Sequence, residues 1–388
     1  MSALLVIVCM QATDAVPRPE PPPDAAPASA DAAPAPAPPD DDLERQLAEA
    51  VAADRGPAPA PAPAPGLGSA ALANPEISVI GTFTGAWRLE DEDPAFQAGD
   101  DPLPQGIGAQ VLELVLAAAV DPYLKMFAVL TIPNQEALEI EEAYLTTTTL
   151  PWNLLLKAGI FRSSFGRNNE QHLHVQDFPR RPLATALLDD DGLRPPGAQL
   201  SVLLPLPWFA TLYGEVLSLD PGALSGVAGL EQFFALSDTW SLLVGANAAT
   251  LDRGATAPRE YLLGGDVYVK WRPANVTRTY AWVAFAAEAV ASRTADRAWD
   301  GAGHAQLVAQ VARRLRLGAR FDATGVAAAT AAPRAFAATA SIAFLPTEYS
   351  RLRLSVAQDL GPALFDRRNT SVFLQLEGTI GAHGAHPF

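Results

Sequence analysis

The chain has 388 residues, 49% of them hydrophobic, and a formal net charge of −16 at pH 7. That charge excludes a general nucleic-acid surface, which needs a basic face. The single cysteine, Cys9, excludes a disulfide framework and a cysteine-rich metal site. Apolar residues fall in segments of about ten, short of the 18 or more uninterrupted positions of a membrane-spanning helix but sufficient for a spanning strand of ~9–11 residues. The longest, around Ser201–Leu219, is broken by Pro205 and Pro207.

Residues 1–15 have a short apolar core followed by small residues at Ala12 and Ala15, the pattern of a cleaved export signal, although no Lys or Arg precedes the core. Lipidation at Cys9 is the competing reading, and Val8 before it is larger than such signals want. Residues 16–75 form a linker. Its Pro/Ala runs at 16–40 and 56–66 favour extended polyproline II and cannot build a packed core. At ~3.1 Å per residue the first run reaches roughly 75 Å. Between the runs, 41–55 reads as a short helix, acidic at its start, with Leu43, Leu47 and Val51 at i, i+4 and i+8. It is either a docking helix or a marginal helix in a disordered tether.

From residue 76 to the end the pattern is all-β. Ile77–Leu89 is rich in Ile, Val, Thr, Phe and Trp and opens the folded part. A long acidic segment, Glu90–Gln105, follows, then Ile107–Val120 and Tyr123–Ile132 around Asp121-Pro122. Leu138–Leu150 and Leu154–Ser163 flank Pro151-Trp152-Asn153. The pairs continue as Gly197–Leu204 with Trp208–Leu219, Leu230–Leu236 with Trp240–Leu251, and Glu260–Arg272 with Thr277–Ala291. His304–Ala312 with Arg314–Ala323, Arg334–Leu345 with Tyr349–Asp359, and a last strand Thr370–Ala382 complete the series. About sixteen strands at close to 20 residues each suit a closed transmembrane antiparallel β-barrel.

Three patterns favour that barrel over a soluble sandwich. Short turns alternate with longer Gly-, Asp- and Arg-rich segments, as periplasmic turns and external loops do. Tyr123, Trp152, Trp208, Trp240, Trp271 and Tyr349 all fall at the short-turn ends, where an aromatic girdle belongs. Polar and apolar side chains alternate: Asp266, Tyr268 and Lys270 oppose Val267, Val269 and Trp271, and Arg351, Arg353 and Ser355 oppose Leu352, Leu354 and Val356. An apolar face toward lipid and a polar face toward a wet lumen accounts for this.

Several segments carry a resemblance: Glu141-Glu142-Ala143-Tyr144, Lys157-Ala158-Gly159, and Phe165-Gly166-Arg167 through His172 and His174 to Asp177-Phe178 and Arg181-Pro182-Leu183. The ending Ile380–Phe388 joins them. Over nearly all of Asn74–Phe388 the chain resembles outer-membrane porin-like proteins of Gram-negative bacteria. It is similar to relatives of phosphate-selective porins and to a group often labelled zinc-regulated, TonB-dependent outer-membrane receptors. The chain is too short for a barrel of roughly 22 strands and starts with a Pro/Ala tether rather than a folded plug, so the resemblance implies the barrel and not energy coupling.

The resemblance also implies that Ser164–Pro196, the third external loop, folds into the lumen and narrows it. Arg162, Arg167, Arg180 and Arg181 would then meet anionic solutes, with Arg314, Arg316, Arg320, Arg351 and Arg353 adding a basic wall, since rings of charge set pore selectivity. Glu139 and Glu141 are the lumen carboxylates expected to pair with them, so each arginine is open to a structural or a solute-contacting role. His172 and His174 are candidate zinc ligands. Zinc needs three or four converging donors, so no cofactor is expected unless others join them. His383 and His386 belong to the opposite side.

No Gly-rich phosphate loop, HExxH or triad is present, and no enzymatic activity is expected. The expected function is passive diffusion of small solutes through the outer membrane, with residues 16–75 in the periplasm. The alternatives are a receptor barrel for a metal or metal-linked ligand, and a structural barrel whose tether contacts the envelope. Expected partners are outer-membrane lipids, small solutes, and the barrel-assembly machinery, which the terminal aromatic Phe388 would address.

Overall fold

The computed structural model describes residues 75–90, 106–188, 192–255, 257–274, 280–294, 298–326, 334–361 and 367–381. The expected signal, tether and short helix, together with His383, His386 and Phe388, lie outside these residues. The strands, in chain order, are β1 (Glu76–Arg88), β2 (Gly106–Ala119), β3 (Leu124–Pro133), β4 (Glu139–Thr147), β5 (Leu154–Ile160), β6 (Pro196–Leu203), β7 (Phe209–Asp220) and β8 (Ala223–Ala235). They continue as β9 (Trp240–Leu251), β10 (Glu260–Trp271), β11 (Trp282–Thr294), β12 (Asp300–Ala312), β13 (Leu315–Thr324), β14 (Ala335–Thr347), β15 (Ser350–Leu360) and β16 (Arg367–Gly381).

Each strand pairs antiparallel with its neighbours in sequence, and β1 pairs with β16 through Val79 opposite Ile380 and Phe83 opposite Leu376. Closure leaves no unpaired edge, which backbone amides require when the outer solvent is apolar. The outer face is apolar. Along β15, Leu352, Leu354 and Val356 are 41%, 45% and 43% exposed, while Arg353 and Ser355 between them are 2% and 1% exposed. A face of this composition is stable against lipid, so the barrel has the solvation pattern of a membrane-spanning one.

The short-turn end carries the expected girdle: Tyr123, Trp152, Trp208, Trp240 and Tyr349 are all exposed there, and Trp271 sits opposite Trp240 in the β9–β10 ladder. Trp152 and Asn153 lie in the left-handed region within the Pro151–Asn153 turn.

Several strand ends differ from the expected map by a few residues, and three points bear on the connections. The strand expected over Leu230–Leu236 begins at Ala223, because the small residues before Leu230 carry little apolar signal yet pair along β7. β11 spans Trp282–Thr294, and the expected start at Thr277 lies outside the described residues. The alternation of short and long connections also has an exception. Pro221-Gly222 alone links β7 to β8 on the long-loop side, with Gly222 at φ +88° supplying the left-handed position of a tight turn.

Candidate functional site

The third loop, between β5 and β6, enters the lumen and is fastened to the wall on all sides. An irregular segment has no ladder to satisfy its backbone, so each buried N–H and C=O needs another partner. Wall carboxylates take the amides. Arg162 N–H donates to Glu142 on β4 at 2.7 Å, Ser164 N–H to Glu215 on β7 at 2.9 Å, Asn168 N–H to Glu288 on β11 at 2.9 Å, and Leu183 N–H to Asp322 on β13 at 3.1 Å. Wall arginines take the carbonyls. Arg320 donates to the main-chain oxygens of Arg180 and Arg181 at 2.8 and 3.2 Å, Arg351 to those of His174 and Gln176 at 2.8 and 3.1 Å, and Arg353 to that of Gln176 at 2.6 Å.

Two β-bulges aim polar side chains at the loop. Val129 pairs with Glu142 and Leu130 with Ile140, so Glu141 is the extra residue, and consecutive glutamates both face inward. Gln110 is likewise extra between partners of Thr82 and Phe83. It accepts from Thr84 and Gln375 at 2.7 Å each and donates to the Pro179 carbonyl at 3.5 Å.

Part of the inner wall is apolar, against the expectation of a uniformly polar lumen. Phe161, Phe165, Leu188 and Leu193 of the loop pack on Leu217, Val227, Leu251, Leu262 and Val290 from β7–β11. Burying these side chains offsets the cost of ordering the loop. Gly166 permits the close approach: its φ is +77°, and a Cβ there would lie 2.6 Å from Glu288 Oε1.

Of the expected site residues, Arg162 pairs with Glu141, its Nε donating at 3.0 Å, and Arg180 with Asp359 at 2.9 Å. Arg181 donates to the Gln171 carbonyl at 3.1 Å. Arg316 pairs with Asp177 of the loop at 2.8 Å, and Arg351 with Glu377 at 2.6 Å. Arg353 also donates to Gln375, and Arg320 to Asp322, each at 2.8 Å. Arg314 does not join the basic wall. It lies exposed in the two-residue turn between β12 and β13, one position short of the alternating strand. Glu139 lies at the start of β4 opposite the buried Thr131, is exposed there, and reaches Arg194 at 3.4 Å. Glu139 and Glu141 keep the two-residue register they share; the bulge instead turns Glu142, next to Glu141, inward as well.

His172 and His174 stack at 5.7 Å between ring centroids, but their nitrogens address different carboxylates. His172 Nε2 is 2.9 Å from Glu142 and Nδ1 3.2 Å from Glu141, while His174 Nδ1 is 2.7 Å from Glu113 on β2. Burial alone would lower the His172 pKa, but the two glutamates outweigh it and raise it to about 10, so the ring is a buried imidazolium. Among the described residues, no group of three or more His, Cys, Asp or Glu side chains is arranged to hold a metal ion.

Among the described residues, three cavities lie beside the loop. One of about 390 Å3 is bounded by Asp177, Tyr268, Lys270, Trp282, Arg316 and Arg351. A second of about 150 Å3 is bounded by Glu170, Tyr213, Glu231, Asn247 and Asp266, and a third of about 10 Å3 by Glu288 and His304. Arg167 lines all three, its guanidinium 4.3 Å from the centre of the Tyr268 ring. Sequence reasoning missed Glu142, Glu215, Glu288, Asp322 and Asp359. The inward phase of Glu215, Glu288, Asp322 and Asp359 was readable from strand alternation, that of Glu142 was hidden by the bulge, and the loop partners of all five were not readable.

A closed sixteen-stranded barrel with its third loop inside the lumen defines a porin-like barrel. Solved structures share the barrel fold. OmpT of Vibrio cholerae with loop L8 deleted superposes with a TM-score of 0.55 at 10% identity, over 79% of this chain and 99% of that one. An anion-selective porin from Comamonas acidovorans does so at 0.53 and 10%, over 79% and 100%. The outer-membrane channel DcaP of Acinetobacter baumannii does so at 0.51 and 14%, over 79% and 96%. No family model matches the chain. An uncharacterized protein of Aquifex aeolicus (strain VF5) is 30% identical over 338 residues, covering 73% of this chain and 70% of the relative, and this chain belongs to the same family.

Proposed function

We propose that the protein is a passive channel for small solutes, anions among them, in the outer membrane of a Gram-negative bacterium. The observation that carries this reading is the third loop, held inside an apolar-faced barrel while polar and charged cavities remain beside it. A loop that narrows a wet lumen restricts solute size without a moving part. Two of the fold neighbours are an anion-selective porin and the outer-membrane channel DcaP. The segments similar to phosphate-selective porins make inorganic phosphate the first anion to examine. On this reading the girdle with Trp152 and Trp208 faces the periplasm, the tether of residues 16–75 extends there, and no chemistry is performed on the solute.

Swelling of proteoliposomes tests it. Protein whose gel mobility shifts on boiling, as a folded barrel's does, is expected to admit a pentose and inorganic phosphate but not a long oligosaccharide. Folded protein that admits none of them contradicts the channel.

A further inference from the structure

We propose that Arg167 sets the charge selectivity of this lumen, because it is a loop guanidinium without a hydrogen bond or ion pair among the described residues and stands where three cavities meet. Apart from Arg314, which is exposed in a turn, the other arginines of the expected constriction are engaged. Arg162 and Arg180 pair with buried carboxylates, Arg316 and Arg351 with Asp177 and Glu377, and Arg320 and Arg353 hold loop carbonyls. A paired guanidinium presents little net charge to a passing ion, and removing it releases the loop. Those residues are struts.

Arg167 differs in each respect. It stacks on the Tyr268 ring at 4.3 Å, which orients the group but uses none of its five N–H donors, and its buried Nε has no hydrogen-bond partner. On one side it faces the larger cavity with Lys270, Arg316 and Arg351. On the other it faces the acidic cavity with Glu170, Glu231 and Asp266. A cation drawn into the acidic chamber meets the positive charge of Arg167 at the boundary. An anion in the larger chamber meets a planar fork with donors to offer. One side chain thereby repels one sign of charge and receives the other. Gly166 beside it has φ +77°, and a Cβ there would meet Glu288 Oε1 at 2.6 Å.

The inference rests on the channel reading, so its test has two readouts. The first is the reversal potential in a tenfold KCl gradient for wild type, Arg167→Gln and Arg167→Met, the second variant keeping an apolar stack on Tyr268. Both are expected to shift the chloride-to-potassium permeability ratio toward potassium by at least about threefold, and Arg167→Lys by less. The second needs no current. Trp282 lines the same cavity, and its emission, isolated by subtracting a Trp282→Phe protein, is quenched by iodide or by neutral acrylamide. Loss of the Arg167 charge is expected to reduce iodide quenching about twofold and leave acrylamide quenching unchanged. If wild type conducts and neither folded variant shifts its reversal potential, the assignment is overturned. If wild type carries no current, quenching decides: an iodide-specific loss upholds Arg167 while the channel reading falls, and unchanged quenching overturns both.

Discussion

The Arg320 guanidinium donates to the main-chain oxygen of Arg180 at 2.8 Å, although 140 residues separate the two along the chain. The same side chain holds Asp322, whose other oxygen accepts the Leu183 amide at 3.1 Å. Arginine and aspartate thus act as one clamp, satisfying carbonyls and an amide of the loop from the wall opposite its origin. Arg320→Ala leaves Asp322 buried without its partner, a loss of about 3–5 kcal/mol for buried pairs. At about 1.4 kcal/mol per tenfold, Leu183 amide exchange should quicken by roughly two to three orders of magnitude, with the strand ladder unaffected. Unchanged protection at Leu183 would show that the clamp does not hold the loop.

Gly166→Ala should also loosen the loop, for a different reason. The position has φ +77°, and the added methyl would meet Glu288 Oε1 at 2.6 Å. Strain and overlap together cost about 1–3 kcal/mol. Adding Glu288→Ala removes the overlap but not the strain, and also frees the Asn168 amide, so only partial recovery of thermal stability is expected. Full tolerance of the single substitution would mean that the loop tip does not rest on Glu288.

His172 gives the loop an alkaline limit. Its pKa rises from 6.5 to about 10 because Glu141 and Glu142 hold the charged ring against the penalty of burial. A raised histidine pKa contributes stability that is fully present below about pH 6.5 and is lost as pH climbs through about 10. Loop protection from a protease should therefore fall progressively between about pH 6.5 and about 10 in wild type. In His172→Gln it should already be reduced at neutral pH and show a smaller further loss. Parallel pH profiles would remove His172 from the latch.

The lipid-facing assignment is tested on β15. Leu354 is 45% exposed on the outer face. Leu354→Arg should destabilise the barrel in bilayers by about 2–4 kcal/mol if the position is near the midplane, read from denaturant unfolding in liposomes. A neutral outcome would place Leu354 against water.

The barrel was legible because its signal repeats. Trp240–Leu251 shows alternation, an aromatic at the turn end and turn residues before it, and it forms β9 over that span. Ala223–Gly229 was not legible, since small residues alternate without contrast and only pairing with β7 makes them a strand. The site was legible as composition and not as pairing. Arginines and histidines in the third loop announced a charged segment in the lumen. That Arg180 meets Asp359 and Arg316 meets Asp177 depends on closure around the barrel, which no local pattern encodes. The bulge at Glu141 was invisible for the opposite reason: it is a one-residue slip set by how β3 and β4 register, and the sequence on either side alternates without a break.

The central claim is that the lumen conducts past its inward loop. Single-channel recording in planar bilayers tests it most directly, using protein whose folding is verified by its heat-dependent gel mobility. The account predicts discrete, ohmic current steps that persist without applied ligand or energy source. Repeated insertion of folded protein with no steps above the bare-membrane baseline would contradict it, and would make the loop a plug.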